Sequence, residues 1–168
     1  WYFHSRGIGA EDRIVVCAPN SIWHFIVHTA ASWIHAVTVP VSPMLPCNQR
    51  QEIYDIVSPA LIISADGNSV DGVPALPMSL IEERASQAIN QSPTGWEPLT
   101  CYEQTAALVF TSGTSGKMRA AQLSHVNLWW ASQCFRDGFE YSPGSAICGV
   151  VAPLSHIWGF NGTSMDIF

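Results

Sequence analysis

Short apolar runs alternate along the chain with longer stretches whose apolar residues recur at helical spacing. Residues 13–18 (RIVVCA) read as a buried strand ended by Pro19 and Asn20, with Gly7 and Gly9 closing a helix end before it. From residue 21 to about 36, Trp23, Ile26, Ala30, Trp33 and Ile34 fall on one side of a helical wheel and predict a helix with that apolar face, capped by Asn20 or Ser21. Strands follow at 38–42 and 60–64, with a helix at 48–57 between them. Strands that are apolar throughout and separated by helices bury both faces of their sheet. The predicted class is therefore α/β: a mostly parallel sheet with helices on both faces and right-handed crossovers.

Residues 66–77 read as loop, 80–89 as a helix, and 92–98 as a connector rich in breakers. A buried strand is predicted at 106–110, a return strand at 120–123, a helix from about 125 to 135 capped by Ser124, and another buried strand at 146–152 ending at Pro153. The organisation expected is one partial domain over 1–168: an α/β segment over about 1–91, the connector over 92–105, and a second α/β segment over 106–168.

Composition narrows the function. With 48% hydrophobic and 12% charged residues in 168, the chain has the makeup of a globular domain with a sizeable core. Its net charge is −6 and its seven basic residues are scattered, which argues against nucleic acid and against an anionic membrane surface as partners. The apolar stretch from 24 to 41 is broken by His28, His35 and Pro40 and falls short of a membrane span; no signal-peptide pattern opens the chain. Five cysteines without a C-x-x-C pair predict reduced core thiols and a cytoplasmic protein. Trp1 at the start and Met-Asp-Ile-Phe at the end, without turn or cap, suggest a chain cut at both ends.

The chemistry concentrates in TSGTSGKMR, residues 111–119. Four hydroxyls and two glycines precede Lys117, the only lysine in the chain. Glycine lets backbone N–H groups turn toward an anion, the hydroxyls add donors, Lys117 supplies a compact charge and Arg119 a forked one. The ATPase loop needs four residues between its glycines and a Ser or Thr after the lysine; here two separate Gly113 from Gly116, and Met118 follows. The next segment is a strand, not a helix offering its positive end. On composition alone, a phosphate cradle and a plain hairpin turn both stand.

The segment 111–119, behind the apolar Leu108, Val109 and Phe110, resembles the AMP-binding signature of the adenylate-forming enzymes. That family includes acyl-CoA and aryl-CoA synthetases, firefly-type luciferases and the adenylation domains of nonribosomal peptide synthetases. Four other stretches agree in order: GIGAEDR at 7–13 with APNS at 18–21, AVTVPVSP at 36–43, LSHVNL at 123–128 and APLSHIWGF at 152–160. The likeness spans nearly the whole chain and is weakest between about 66 and 100.

The resemblance implies a partial N-terminal domain of an ATP-dependent ligase that adenylates a small-molecule carboxylate and then passes the acyl group to a thiol, of CoA or of a carrier protein. Thr111, Ser112, Gly113, Thr114, Ser115, Gly116 and Lys117, with Arg119, would hold the ATP phosphates with Mg2+ alongside; His156 would sit near the substrate carboxylate. Lys117 and His156 are the candidate catalytic residues. The family's adenine, magnesium and ribose groups, hinge and late lysine lie further on, in part on a C-terminal domain that would be this chain's partner. The 168 residues alone are expected to be inactive. A degenerate, non-catalytic nucleotide-binding relative is the competing reading, and a peroxisomal location the alternative to a cytoplasmic one. Met118, Arg119 and Ala120 stand where the family usually has proline, lysine and glycine, and Ala120 places a methyl group where backbones can approach closely.

Other constellations have plainer accounts. His24, His28 and His35 fall within about 40° on a helical wheel, opposite Ile26 and Trp33, without a carboxylate or cysteine; a solvated polar stripe is expected and no metal. Of Trp129 and Trp130, one is expected to pack into the core while the other covers the surface. His156 alone would suit a neutral core histidine, but its place after an apolar run and Pro153 suits a ligand crevice.

Overall fold

The computed structural model describes residues 2–68, 70, 72–88, 101–111, 117–139 and 149–164. After a 3-10 turn at His4–Arg6, closed by Gly7 at φ 79°, the elements run β1 (Arg13–Cys17), α1 (Ile22–Trp33), β2 (Val37–Pro40), α2 (Cys47–Val57), β3 (Leu61–Ser64), β4 (Ala75–Pro77), α3 (Met78–Ala88), β5 (Thr105–Thr111), β6 (Arg119–Ser124), α4 (His125–Gly138) and α5 (Ile157–Ser164). The strands form one sheet in the order β4-β3-β1-β2-β5-β6. All neighbours are parallel except β5 and β6, an antiparallel hairpin. The α/β class and the mostly parallel sheet follow the hydrophobic pattern.

The two larger of three buried clusters among the described residues flank the sheet. On one face, Ile14, Val16, Leu61 and Ile63 pack against Val27 and Ala31 of α1, Ile34 just after it, and Ile81 of α3. On the other, Val15, Val39 and Ile62 pack against Ile53, Tyr54 and Val57 of α2. This alternation along each strand is the pleat expressed as packing. Arg13 fastens the end of α2 to the start of β1: Nε donates to Val57 O (2.8 Å) and Nη2 to Ser58 O (2.9 Å). Cys17 and Tyr54 bond within the second core, where burial raises the pKa of both above its ordinary value.

Several expectations are corrected. The buried face of α1 is His24, Val27, His28 and Ala31, turned from the predicted one, and Trp33 is exposed. The histidines are therefore not a solvated stripe. His28 Nδ1 lies 2.7 Å from Thr38 Oγ1, its ring meets Phe160 edge-on with centroids 4.8 Å apart, and the Thr38 hydroxyl also reaches Ala106 O at 3.3 Å. A neutral imidazole with a partner is a good core residue, and hydropathy patterning scores it as polar. Trp129 and Trp130 stack edge to face on each other but both stand exposed on α4, whose buried residues are Leu128 and Ser132. Of the described cysteines, all free, only Cys17 is buried; Cys47, Cys101 and Cys134 are exposed.

The strand expected at 146–152 does not form in its described part. Residues 149–152 are irregular and Val151 is exposed; residues 146–148 lie outside the described set. Two elements escaped the pattern. β4 has three residues and ends in proline, tolerable because it lies at the sheet edge, and α5 carries two glycines, which lower its helical signal. Among the described residues no helix is long and apolar enough to cross a membrane.

Candidate active site

β1, β2 and β5 run parallel, so their carboxyl ends share one edge of the sheet, the edge where open α/β sheets place ligands. Thr111 ends β5 at that edge. Directly opposite, Arg119 begins β6; the two are register partners, and Thr111 Oγ1 donates to Arg119 O at 3.5 Å. The ladder continues through Phe110 with Ala120 and Val109 with Ala121.

Ser112, Gly113, Thr114, Ser115 and Gly116, the heart of the predicted cradle, lie outside the described residues. What surrounds them is described. Lys117 is exposed next to the strand that carries Arg119, which is exposed as well. The Met118 N–H donates to Glu52 Oε1 on α2 at 3.2 Å, and the Met118 side chain packs on the α2-side core. Residue 118, where the family usually has proline, thus uses an N–H that proline lacks. Nothing in the chain's pattern pointed to Glu52; its one signal is a carboxylate on a helix that the topology brings to the hairpin. Ala120 borders an open depression of about 610 Å3 with Arg13, Ile56 and Leu108 on the α2 side, so its methyl group faces space.

His156 arrives from the far end of the chain. A pocket of about 210 Å3 is lined by Val109, Phe110, Thr111, Ala121, Leu123, His156 and Ile157, which brings His156 to the same cavity as the start of the cradle. The ring is exposed, contrary to the core reading, and its Nδ1 accepts the Trp158 N–H at 3.2 Å. In the neutral ring that bond leaves the proton on Nε2.

Four contacts fix the backbone carrying His156. Its own N–H donates to Pro153 O (3.0 Å), and its carbonyl accepts from Phe160 N (2.8 Å). Gly159 packs so closely on Pro153 that an added Cβ would lie 2.2 Å from the Pro153 carbonyl oxygen. The fourth contact is Asn20. It does not cap α1, as its position suggested: Nδ2 donates to Ala152 O and Oδ1 accepts from Leu154 N, both at 2.9 Å, while Ser21, the residue at the cap, makes no side-chain capping bond. The cap of α4 is as expected, with Ser124 and Asn127 forming a reciprocal capping box.

Burial leaves its mark on the histidines behind this edge. The pKa values of His24 and His28 are pushed down to about 4 by burial, His28 further by nearby His125. His125 is itself lowered, by burial first and by His35 second. Among the described residues no three His, Cys, Asp or Glu side chains gather as a metal site would require.

The chain is 24% identical over 169 residues to the probable non-canonical nonribosomal peptide synthetase CymA of Salinispora arenicola (strain CNS-205), a match covering 96% of this chain and 2% of that protein. It is 22% identical over 178 residues to 4-coumarate--CoA ligase-like 6 of Arabidopsis thaliana, covering 95% of this chain and 31% of the ligase-like protein. Among solved structures it matches VinN in complex with 3-methylaspartate, with a TM-score of 0.82, 20% identity, and coverage of 98% of this chain and 48% of VinN. The chain thus spans less than half the length of each of these proteins. The family model described as AMP-binding enzyme matches residues 1–165, and the chain belongs to that family.

Proposed function

We propose that the protein carrying this chain activates a carboxylic acid as its acyl-adenylate at the expense of ATP, then passes the acyl group to a thiol. The reading rests above all on one observation: the family match runs through a hairpin whose stalks, Thr111 and Arg119, pair at the carboxyl edge of the sheet, with His156 lining the pocket beside Thr111. Residues 111–117 grip the β- and γ-phosphates through backbone N–H groups, hydroxyls and Lys117, and Arg119 adds charge at the hairpin exit. Magnesium bound alongside residues 111–117 would supply neutralisation of phosphate charge. The substrate carboxylate lies against His156. One carboxylate oxygen bonds to the α-phosphorus as the bond to the pyrophosphate oxygen breaks; a thiol sulfur then takes the acyl carbon and AMP leaves. The protein contributes alignment and charge stabilisation.

The acceptor is proposed to be CoA, with a carrier-protein thiol as the second reading, favoured by the similarity to a nonribosomal peptide synthetase. Exchange of labelled pyrophosphate into ATP, screened over fatty, aryl and amino acids with the intact protein, tests the first step. Lys117→Ala combined with Gly116→Val is expected to abolish it or nearly so; unchanged exchange refutes the cradle assignment. Acyl-CoA formed on adding CoA supports the first acceptor. Adenylate that turns over only with a carrier protein supports the second, and an intact protein that exchanges with no carboxylate supports the degenerate relative.

A further inference from the structure

Asn20 and His156 are far apart in sequence, and neither points to the other by pattern. In the fold, the Asn20 amide spends both of its polar atoms on the backbone just before His156, accepting from Leu154 N and donating to Ala152 O, each at 2.9 Å. That is a two-point clamp, which fixes position and direction together. From Leu154 the backbone reaches His156 through the Pro153 turn, and Gly159 seats the next turn on the same Pro153 carbonyl. Asn20 itself stands where β1 gives way to α1, on the carboxyl edge that also carries Thr111. The clamp thus refers the His156 segment to the rigid centre of the sheet instead of to its own irregular approach through residues 149–152.

We propose that Asn20 is a positioning residue of the adenylation site, holding His156 at its depth in the pocket it shares with Thr111. The inference rests on the function proposed above. Asn20 touches no substrate; it acts through the backbone of 152–154. The phosphate hairpin has separate anchors, the β5–β6 ladder and Glu52, so releasing the clamp shifts the carboxylate side of the site and leaves the ATP side in place.

The test uses the intact protein and Asn20→Ala, with Asn20→Asp as the milder variant, which keeps the acceptor for Leu154 and loses the donor to Ala152. In carboxylate-dependent pyrophosphate exchange, Asn20→Ala is expected to lower kcat about 10- to 100-fold and to raise the carboxylate KM, with the ATP KM within about twofold. In a His156→Ala background the same substitution should have little further effect, because residues acting as a unit are not additive. Hydrogen exchange should show loss of protection at the Leu154 amide in Asn20→Ala, independently of activity. An undiminished Asn20 effect in the His156→Ala background, an ATP KM that rises in step with the carboxylate KM, or unchanged Leu154 protection overturns the proposal. If Asn20→Ala does not fold, Asn20→Asp carries the kinetic test. A damaging His156→Ala beside a silent Asn20→Ala sinks this inference alone; a silent His156→Ala sinks the site reading beneath it as well.

Discussion

Acid is expected to unfold this chain in a window set by its buried imidazoles. His24 and His28 are buried on α1, and both pKa values lie at about 4 against an ordinary 6.5. Above about pH 6.5 both rings are neutral folded or unfolded, and stability is at its full value. As pH falls below 6.5 the unfolded chain takes up protons that the folded chain refuses, so stability drops until about pH 4 and then gains no further loss from these rings. The shift of 6.5 to about 4 corresponds to about 3 kcal/mol per ring over the whole window, and to about 2 kcal/mol per ring by pH 5. Two rings together rival the whole stability of a typical domain, about 5–15 kcal/mol. His125, lowered in the same direction, adds to the slope. Urea unfolding followed by tryptophan fluorescence at pH 7.5, 6.5, 5.5 and 4.5 measures the effect. His28→Gln should flatten the fall by its share. Stability that stays level between pH 6.5 and 4.5, or a fall equally steep in a His24→Gln/His28→Gln double variant, would refute the reasoning.

Gly159→Ala forces a methyl group to within 2.2 Å of the Pro153 carbonyl, so α5 must move; thermal melts should show a loss of about 1–3 kcal/mol, and a variant as stable as the parent would contradict the packing. Removing the α4 capping box with Ser124→Ala should cost about 1 kcal/mol by urea titration. Trp130→Gln should change stability by less than about 1 kcal/mol because the ring is exposed, whereas a core tryptophan would cost several. Glu52→Gln keeps an oxygen acceptor for the Met118 N–H and should leave the ATP KM of the intact protein near that of the parent. Glu52→Leu removes the acceptor and should raise it severalfold, and equal values for the two variants would show that the anchor does not matter.

The alternation of apolar strands with helical periods was enough to determine the α/β class, because a strand apolar on both sides has to be covered on both sides. The strands on either side of the 111–119 segment were legible too, while composition between them left a phosphate cradle and a plain turn both standing. Most of the main elements were visible in the same pattern, and their ends were set by local punctuation such as the Ser124 cap. Which face of α1 is buried was not. A histidine belongs to a core only if something like Thr38 and Phe160 stands ready to receive it, and both come from other elements. The same holds for Asn20. Read along the chain it is a helix cap; in the fold its amide meets backbone from 152–154, and no periodicity records a bond across such a separation. Local propensity is written residue by residue, whereas the assembly of the site depends on strand order, which brings β1, β5 and the His156 segment to one edge only once the sheet has formed.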